Sequence, residues 1–299
     1  MTGDRLRGVY LPLITPFDRS GDVAVDAIER LGHEYLDAGA TGIVALGTTG
    51  ESTALDASEK QAVIDVCARV CVERDAQLVI GAGTNSTRTT VAAVQALTGT
   101  PGLTAALVVV PYYVRPSEAG IVEHFRTVAD ASPVPVVLYN IAIRTGRNLS
   151  AAGVLEAAAH PNIVGVKQSA VGFDLDTLHL LSGAPEDFAV LGGEDPFLLP
   201  LVFMGGNGAI CASAHLCTER FVAMIECGLA GKVDEGRAHA EALLPLVEAL
   251  FAEPNPAVFK GALHAQGRIP TPDVRAPLVN ASAAAVERAL EAAAAATTA

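Results

Sequence analysis

Ile163-Val164-Gly165-Val166-Lys167 is a run of four apolar or glycine residues closed by a lysine. A short apolar run of this kind reads as a buried strand, so the lysine stands at the carboxyl end of a strand. The chain has only four lysines, at 60, 167, 232 and 260. Lys60 and Lys232 lie in charged, helix-like surroundings and read as solvated surface residues. Lys260 follows a Pro-rich turn and reads as surface or helix edge. Lys167 alone stands where an ammonium would be partly desolvated, and lysine is rarely buried without a partner or a task. Desolvation disfavours the charged form, which suits a neutral amine nucleophile. Taken alone, the segment reads most simply as a strand-end lysine reaching into water. The rest of the chain has to change that.

Outward from this strand, seven similar runs appear, at residues 9–14, 42–46, 78–81, 105–110, 134–139, 188–191 and 208–211. Each is short, apolar throughout and bounded by Gly, Pro, Thr or Asn. Continuous apolar runs suit strands covered on both faces, as in parallel sheets. Amphipathic stretches at 26–38, 57–73, 87–97 and 117–131 read as the intervening helices. Eight such units predict an α/β fold, a (β/α)₈ TIM barrel. An open doubly wound sheet is weaker, because no G-x-G-x-x-G follows the first strand. After Ala212 the pattern turns helical, at 216–230, 233–251, 257–266 and 283–296. This predicts a barrel over 1–212 and a C-terminal helical extension over 213–299 packed on it. The Ala-rich end, 292–299, is expected to fray.

Acidic residues outnumber basic ones, 33 to 20, for a formal charge of −13. That argues against nucleic acid or an anionic membrane as partner. No stretch approaches the roughly 20 apolar residues of a membrane span. Residues 1–10 lack the basic-then-apolar layout of a signal peptide, so a cytoplasmic protein is expected. The five cysteines (67, 71, 211, 217, 227) and seven histidines are scattered without metal-ligand spacing, and no metal is expected.

In a (β/α)₈ barrel the active site lies at the carboxyl ends of the strands. There this sequence places Gly47-Thr48-Thr49-Gly50-Glu51-Ser52, Pro111-Tyr112-Tyr113, Tyr139-Asn140 with Arg144-Thr145-Gly146, Lys167, Glu194-Asp195 and Ala212-Ser213. Glycines around two threonines let N–H groups and hydroxyls converge on a carboxylate. The same stretch also fits an ordinary turn, with Ser52 or Asp56 capping the next helix. Tyr139 fits a core tyrosine or a proton shuttle beside a nucleophilic lysine. Tyr112-Tyr113 fits an aromatic interface patch. Arg144 fits a carboxylate clamp or the surface. Glu194 and Asp195 read as helix caps before 197–204.

These motifs, together with Glu253-Pro254-Asn255-Pro256, stand in an order that resembles the dihydrodipicolinate synthase and N-acetylneuraminate lyase family of Schiff-base (class I) pyruvate aldolases. The resemblance covers residues 8 to about 278. It implies a barrel with a helical C-terminal region, assembled as a homotetramer built from two tight dimers. It implies that Lys167 forms an imine with pyruvate and that Tyr139 shuttles protons. Thr48 and Thr49 would hold the pyruvate carboxylate, Thr48 also joining the proton relay. Tyr113 would come from the neighbouring subunit, and Ile210 would line the pyruvate pocket. The covalent imine replaces any separate cofactor, and the partners are pyruvate and an aldehyde acceptor.

Arg144-Thr145-Gly146 resembles the synthase branch, where the arginine binds the carboxylate of aspartate semialdehyde. The family's usual proline in this loop is replaced, however, by Ala142-Ile143, and Gln168 stands where synthases commonly have an acid. An aldolase or dehydratase acting on a 2-keto-3-deoxy sugar acid therefore stays open. So does a non-catalytic keto-acid-binding barrel, which predicts loss of Lys167, Tyr139 or Thr48; all three are present. The resemblance also bears on regulation. Lysine-inhibited relatives carry two histidines where Ala57 and Lys60 stand and an acid where Thr89 stands, while Asn85 matches. Insensitivity to lysine is expected.

Overall fold

The computed structural model describes residues 6–170 and 172–298. Residues 1–5 of the stretch examined for a leader, and Ala299, lie outside the described residues. Eight strands close into a parallel barrel in chain order. They are β1 (Gly8–Pro12), β2 (Gly42–Ala45), β3 (Gln77–Gly81), β4 (Leu103–Val109), β5 (Val136–Asn140), β6 (Ile163–Gln168), β7 (Ala189–Gly192) and β8 (Gly208–Ile210). The last strand pairs with the first, Gly8 opposite Gly208. Around them run α1 (Val25–Asp37), α2 (Ala57–Glu73), α3 (Thr87–Gln95), α4 (Glu118–Ala131), α5 (Ala142–Thr145), α6 (Ala151–Ala158), α7 (Leu175–Gly183) and α8 (Leu198–Phe203). Then come α9 (Thr218–Leu229), α10 (Val233–Leu250), α11 (Ala257–Ala265) and α12 (Ala283–Thr298).

The two-residue period of each strand divides its side chains between two cores. One set, including Tyr10, Val44, Val79, Leu107, Val137, Leu191 and Ile210, fills the barrel interior. The alternate set, including Val9, Leu11, Ile43, Leu78, Val108 and Leu138, meets the helices. Both faces are dry, which is why the runs are apolar throughout instead of alternating. Tyr10 occupies the interior towards the strand amino ends, its hydroxyl donating to Gln77 Oε1 at 2.6 Å. Gly42 leaves it space, since a Cβ there would lie 3.0 Å from the tyrosine ring.

Helix starts follow local chemistry. Asp56 accepts from the Glu59 N–H at 2.9 Å, while Glu59 accepts from the Asp56 N–H at 2.8 Å. This reciprocal cap fixes α2 at the boundary that the sequence indicates. Ser86, Ser117, Ser150 and Asp174 cap α3, α4, α6 and α7 by a single side-chain bond each, accepting from a backbone N–H of the first turn. Past β8, α9 packs on β1 and β8, α10 packs on α9, and α11 and α12 pair. The end of the chain departs from expectation: α12 stays helical to Thr298. Its alanines at 285, 289, 293 and 296 are buried, so small side chains allow close helix packing instead of fraying. Arg220 further ties it down by donating to the Ala296 carbonyl.

Candidate active site

β5 and β6 pair so that Tyr139 stands directly beside Lys167, with Leu191 of β7 on the other side. Lys167 is only 7% exposed, and its Nζ lies 4.4 Å from the centre of the Tyr139 ring. Gly193 makes this possible, because a Cβ there would collide with Ser169 and lie 2.6 Å from Lys167 Cε. Lys167 opens into a cavity of about 480 Å³, lined also by Thr48, Thr49, Tyr139, Arg144 and Ile210. A smaller cavity of about 260 Å³ shares Thr48, Tyr139, Ile141 and Arg144 and extends to Tyr112. Six of the seven residues singled out from the sequence therefore converge.

The Thr48-Thr49 turn is a short 3-10 segment, Thr48–Gly50, closed by Glu51 in the left-handed region (φ 52°). For a residue other than glycine that conformation costs roughly 1–3 kcal/mol unless its surroundings hold it. Asn255 Nδ2 donates to Thr49 Oγ1 at 3.2 Å from the C-terminal region. Arg144 rides on α5, a single turn wound by the Ala142-Ile143 stretch. Gly146, at φ 71°, ends that turn with its N–H on the Ala142 carbonyl. Thr145 braces it by donating to the Ile141 carbonyl at 3.1 Å.

The strand-seven acids do not cap a helix. Glu194 makes no capping hydrogen bond, and Asp195 accepts from the Ser213 N–H at 2.7 Å, tying the β7 and β8 ends together. Burial raises both carboxyls above their usual range, while Lys167 and Arg144 act against that rise at Glu194. Behind the lysine, Gln168 accepts from Asn140 Nδ2 at 3.1 Å and donates to Thr177 at 3.4 Å, locking β5 to β6.

Tyr113 is not brought into its own chain's cavity. It is 87% exposed, with a left-handed backbone (φ 70°). Arg115 nearby is also left-handed, at φ 46°.

The profile of the Dihydrodipicolinate synthetase family matches residues 5–296. The chain belongs to that family. The 4-hydroxy-tetrahydrodipicolinate synthase of Moorella thermoacetica is 40% identical over 277 residues, which are 92% of each chain. Two crystal structures superpose closely on this dihydrodipicolinate synthetase family member. The chloride-inhibited dihydrodipicolinate synthase from Acinetobacter baumannii, complexed with pyruvate, has TM-score 0.92 and 31% identity, over 97% of this chain and 99% of its own. That from Cyanidioschyzon merolae with lysine bound has TM-score 0.92 and 34% identity, over 97% and 98%.

One expectation is corrected within this family frame. Lys260 is neither surface nor helix edge; it is 0% exposed. Its Nζ donates to Glu51 Oε1 at 2.5 Å and to the Asp273 carbonyl at 2.7 Å, and it lies 3.9 Å from the Phe17 ring centre. Burial pushes the ammonium down to about 8, with Glu51 acting against that shift. Removing one partner of such a pair costs about 3–5 kcal/mol. The signal was present: Ala257-Val258-Phe259-Lys260-Gly261-Ala262-Leu263 is apolar all round except for the lysine. A helix apolar on every face is a buried one.

Proposed function

We propose that this protein is a pyruvate-dependent Schiff-base enzyme, a 4-hydroxy-tetrahydrodipicolinate synthase that joins pyruvate to aspartate semialdehyde. The observation that carries the reading is Lys167, nearly buried against Tyr139 at the floor of a cavity walled by Thr48, Thr49 and Arg144. The named activity of the Moorella relative and the pyruvate in the Acinetobacter structure support it.

In this reading the Lys167 amine attacks the keto carbon of pyruvate. Loss of water from the resulting carbinolamine gives the imine. Tyr139 carries protons to and from the departing oxygen, with Thr48 in the relay. Thr48 and Thr49 hold the carboxylate, and Ile210 walls the pocket. The protonated imine accepts the electron pair released when a methyl proton leaves, giving an enamine. The enamine carbon adds to the aldehyde, whose oxygen takes up a proton. Arg144 clamps the acceptor's carboxylate. The acceptor's own amino group then displaces Lys167 from the imine carbon, closing the ring and freeing the lysine. No separate cofactor enters this sequence.

Tyr113 in this proposal completes the site of a neighbouring copy, consistent with its exposure and held backbone; the assembly is a homotetramer of two tight dimers. Among the described residues no helix is long and apolar enough to cross a membrane, and the protein works in the cytoplasm.

Pyruvate with borohydride should add one reduced adduct at Lys167 by mass, and Lys167→Ala should lose both adduct and turnover. Near-normal turnover in that variant overturns Schiff-base chemistry. Assay with aspartate semialdehyde against 2-keto-3-deoxy sugar acids tests the acceptor. Turnover confined to the sugar acids overturns the synthase assignment.

A further inference from the structure

We propose that the buried Glu51–Lys260 ion pair is the positioning device of the Thr48-Thr49 turn and so sets how tightly the protein holds its keto-acid carboxylate. The proposal rests on the reading of those threonines as carboxylate ligands.

Four observations lead there. The turn lies beyond the ladder, since β2 ends at Ala45 and Thr48–Gly50 forms a short 3-10 segment, followed by a second at Ser52–Ala54. Among the described residues its side-chain hydrogen-bond support from the barrel is one bond, Thr15 Oγ1 to the Gly50 carbonyl at 2.8 Å. Glu51 then reverses the chain in the left-handed region, and its side chain runs away from both cavities into the protein. Both carboxylate oxygens are taken up by the C-terminal region: Oε1 by Lys260 at 2.5 Å, and Oε2 by the Arg275 N–H at 2.8 Å.

The surroundings make that anchorage firm. Lys260 is held a second time by the Asp273 carbonyl, and Phe17 lies under both the ammonium and the Arg275 guanidinium. Arg275 itself pairs with Glu59 at the start of α2 and donates to the Ala54 carbonyl at 3.1 Å. The segment after β2 is thus gripped at Thr49, Glu51, Ala54 and Glu59 from a region over 200 residues away. Neither Glu51 nor Lys260 lines either cavity. They act through Thr48 and Thr49, as positioning residues and not catalytic ones.

Lys260→Met keeps the length of the side chain and removes the charge. In the full-length protein, three quantities report the outcome: the pyruvate concentration giving half-maximal borohydride trapping, the final extent of trapping, and kcat/KM for the acceptor. Half-saturation should rise about tenfold or more, the effect of one weakened carboxylate hydrogen bond. Trapping at saturating pyruvate should stay complete, and acceptor kcat/KM should change less than about twofold. Glu51→Gln combined with Lys260→Met removes both charges, so that no lone carboxylate is buried should the single variant fail to fold. It should show the same rise.

A folded variant with unshifted half-saturation overturns the proposal. So does a variant in which pyruvate and acceptor parameters fall together, since that marks a general structural role. Wild-type protein that pyruvate and borohydride do not label overturns the parent reading, and this proposal with it. Labelled wild type beside an unshifted variant overturns the proposal alone.

Discussion

Replacing Tyr139 by phenylalanine (Tyr139→Phe) keeps the ring that flanks Lys167 at 4.4 Å and removes only the hydroxyl. General acid–base help is worth about 10²–10⁴-fold, so turnover should fall by that order while the melting temperature holds. A loss below threefold would make Tyr139 a packing residue. Gly193→Ala probes the other side of the lysine. The added methyl would lie 2.6 Å from Lys167 Cε, and overpacking of this kind costs about 1–3 kcal/mol. The lysine must therefore shift, and borohydride trapping at fixed pyruvate should drop by roughly tenfold or more. Unchanged trapping in a folded Gly193→Ala protein would show that the amine has more freedom than its burial implies.

At the scale of elements, the turn after β8 contains a histidine that reports on acid. His215 is fully buried; its Nδ1–H donates to the Ala212 carbonyl at 2.7 Å, and its Nε2 accepts from the Ile14 N–H at 3.2 Å. The ring packs edge-on to Tyr35 and Phe259, while Arg268 donates to the His215 carbonyl at 2.9 Å. Protonating Nε2 would set two N–H groups against each other. Burial, with Arg268 adding to it, lowers this imidazole to about 4. The unfolded chain binds its proton near 6.5, so between those values the unfolded state holds more protons. Stability is therefore full above about pH 6.5 and is lost as pH falls towards 4. Denaturant unfolding at pH 7 and pH 4.5 should show a decrease about 2 kcal/mol smaller in His215→Gln than in wild type. Equal decreases would refute this assignment.

For the whole molecule, the positions at which lysine-inhibited members of the resembled family hold their effector carry different residues in this chain. Ala57 and Lys60 begin α2, and Thr89 lies exposed on α3. An acid at the position of Thr89 would form a charge-assisted hydrogen bond with lysine's ammonium, worth about 1.5–3 kcal/mol, or roughly ten- to a hundredfold in affinity. Lys60 adds like-charge repulsion. Calorimetry should therefore show no saturable lysine binding below about 1 mM, and turnover should be unaffected in that range. Saturable binding there, or a halved rate, would refute the prediction.

Chain order and periodicity were enough to place eight strands, because a barrel strand is buried on both faces and its apolar run is a local property. The strand-end rule placed Lys167, Tyr139, Thr48, Thr49 and Arg144 at one rim, the resemblance added Ile210, and all six line one cavity, since closure carries every carboxyl end to the same rim. Pair formation across the chain was not legible in this way. The apolar helix around Lys260 marks it as buried, but its partners are Glu51, 209 positions away, with Phe17 and Asp273. A charge can be buried only where folding supplies its partner, and no local pattern encodes that partner. Asp195 likewise looked like a cap until β7 and β8 met and offered it the Ser213 N–H. The C-terminal alanines looked like a fraying tail until packing against neighbouring helices buried them. The sequence by itself determined the strands and which residues stand at the rim; the tertiary structure alone decided which buried polar groups pair with one another, because a partner far away in the chain is supplied only by folding.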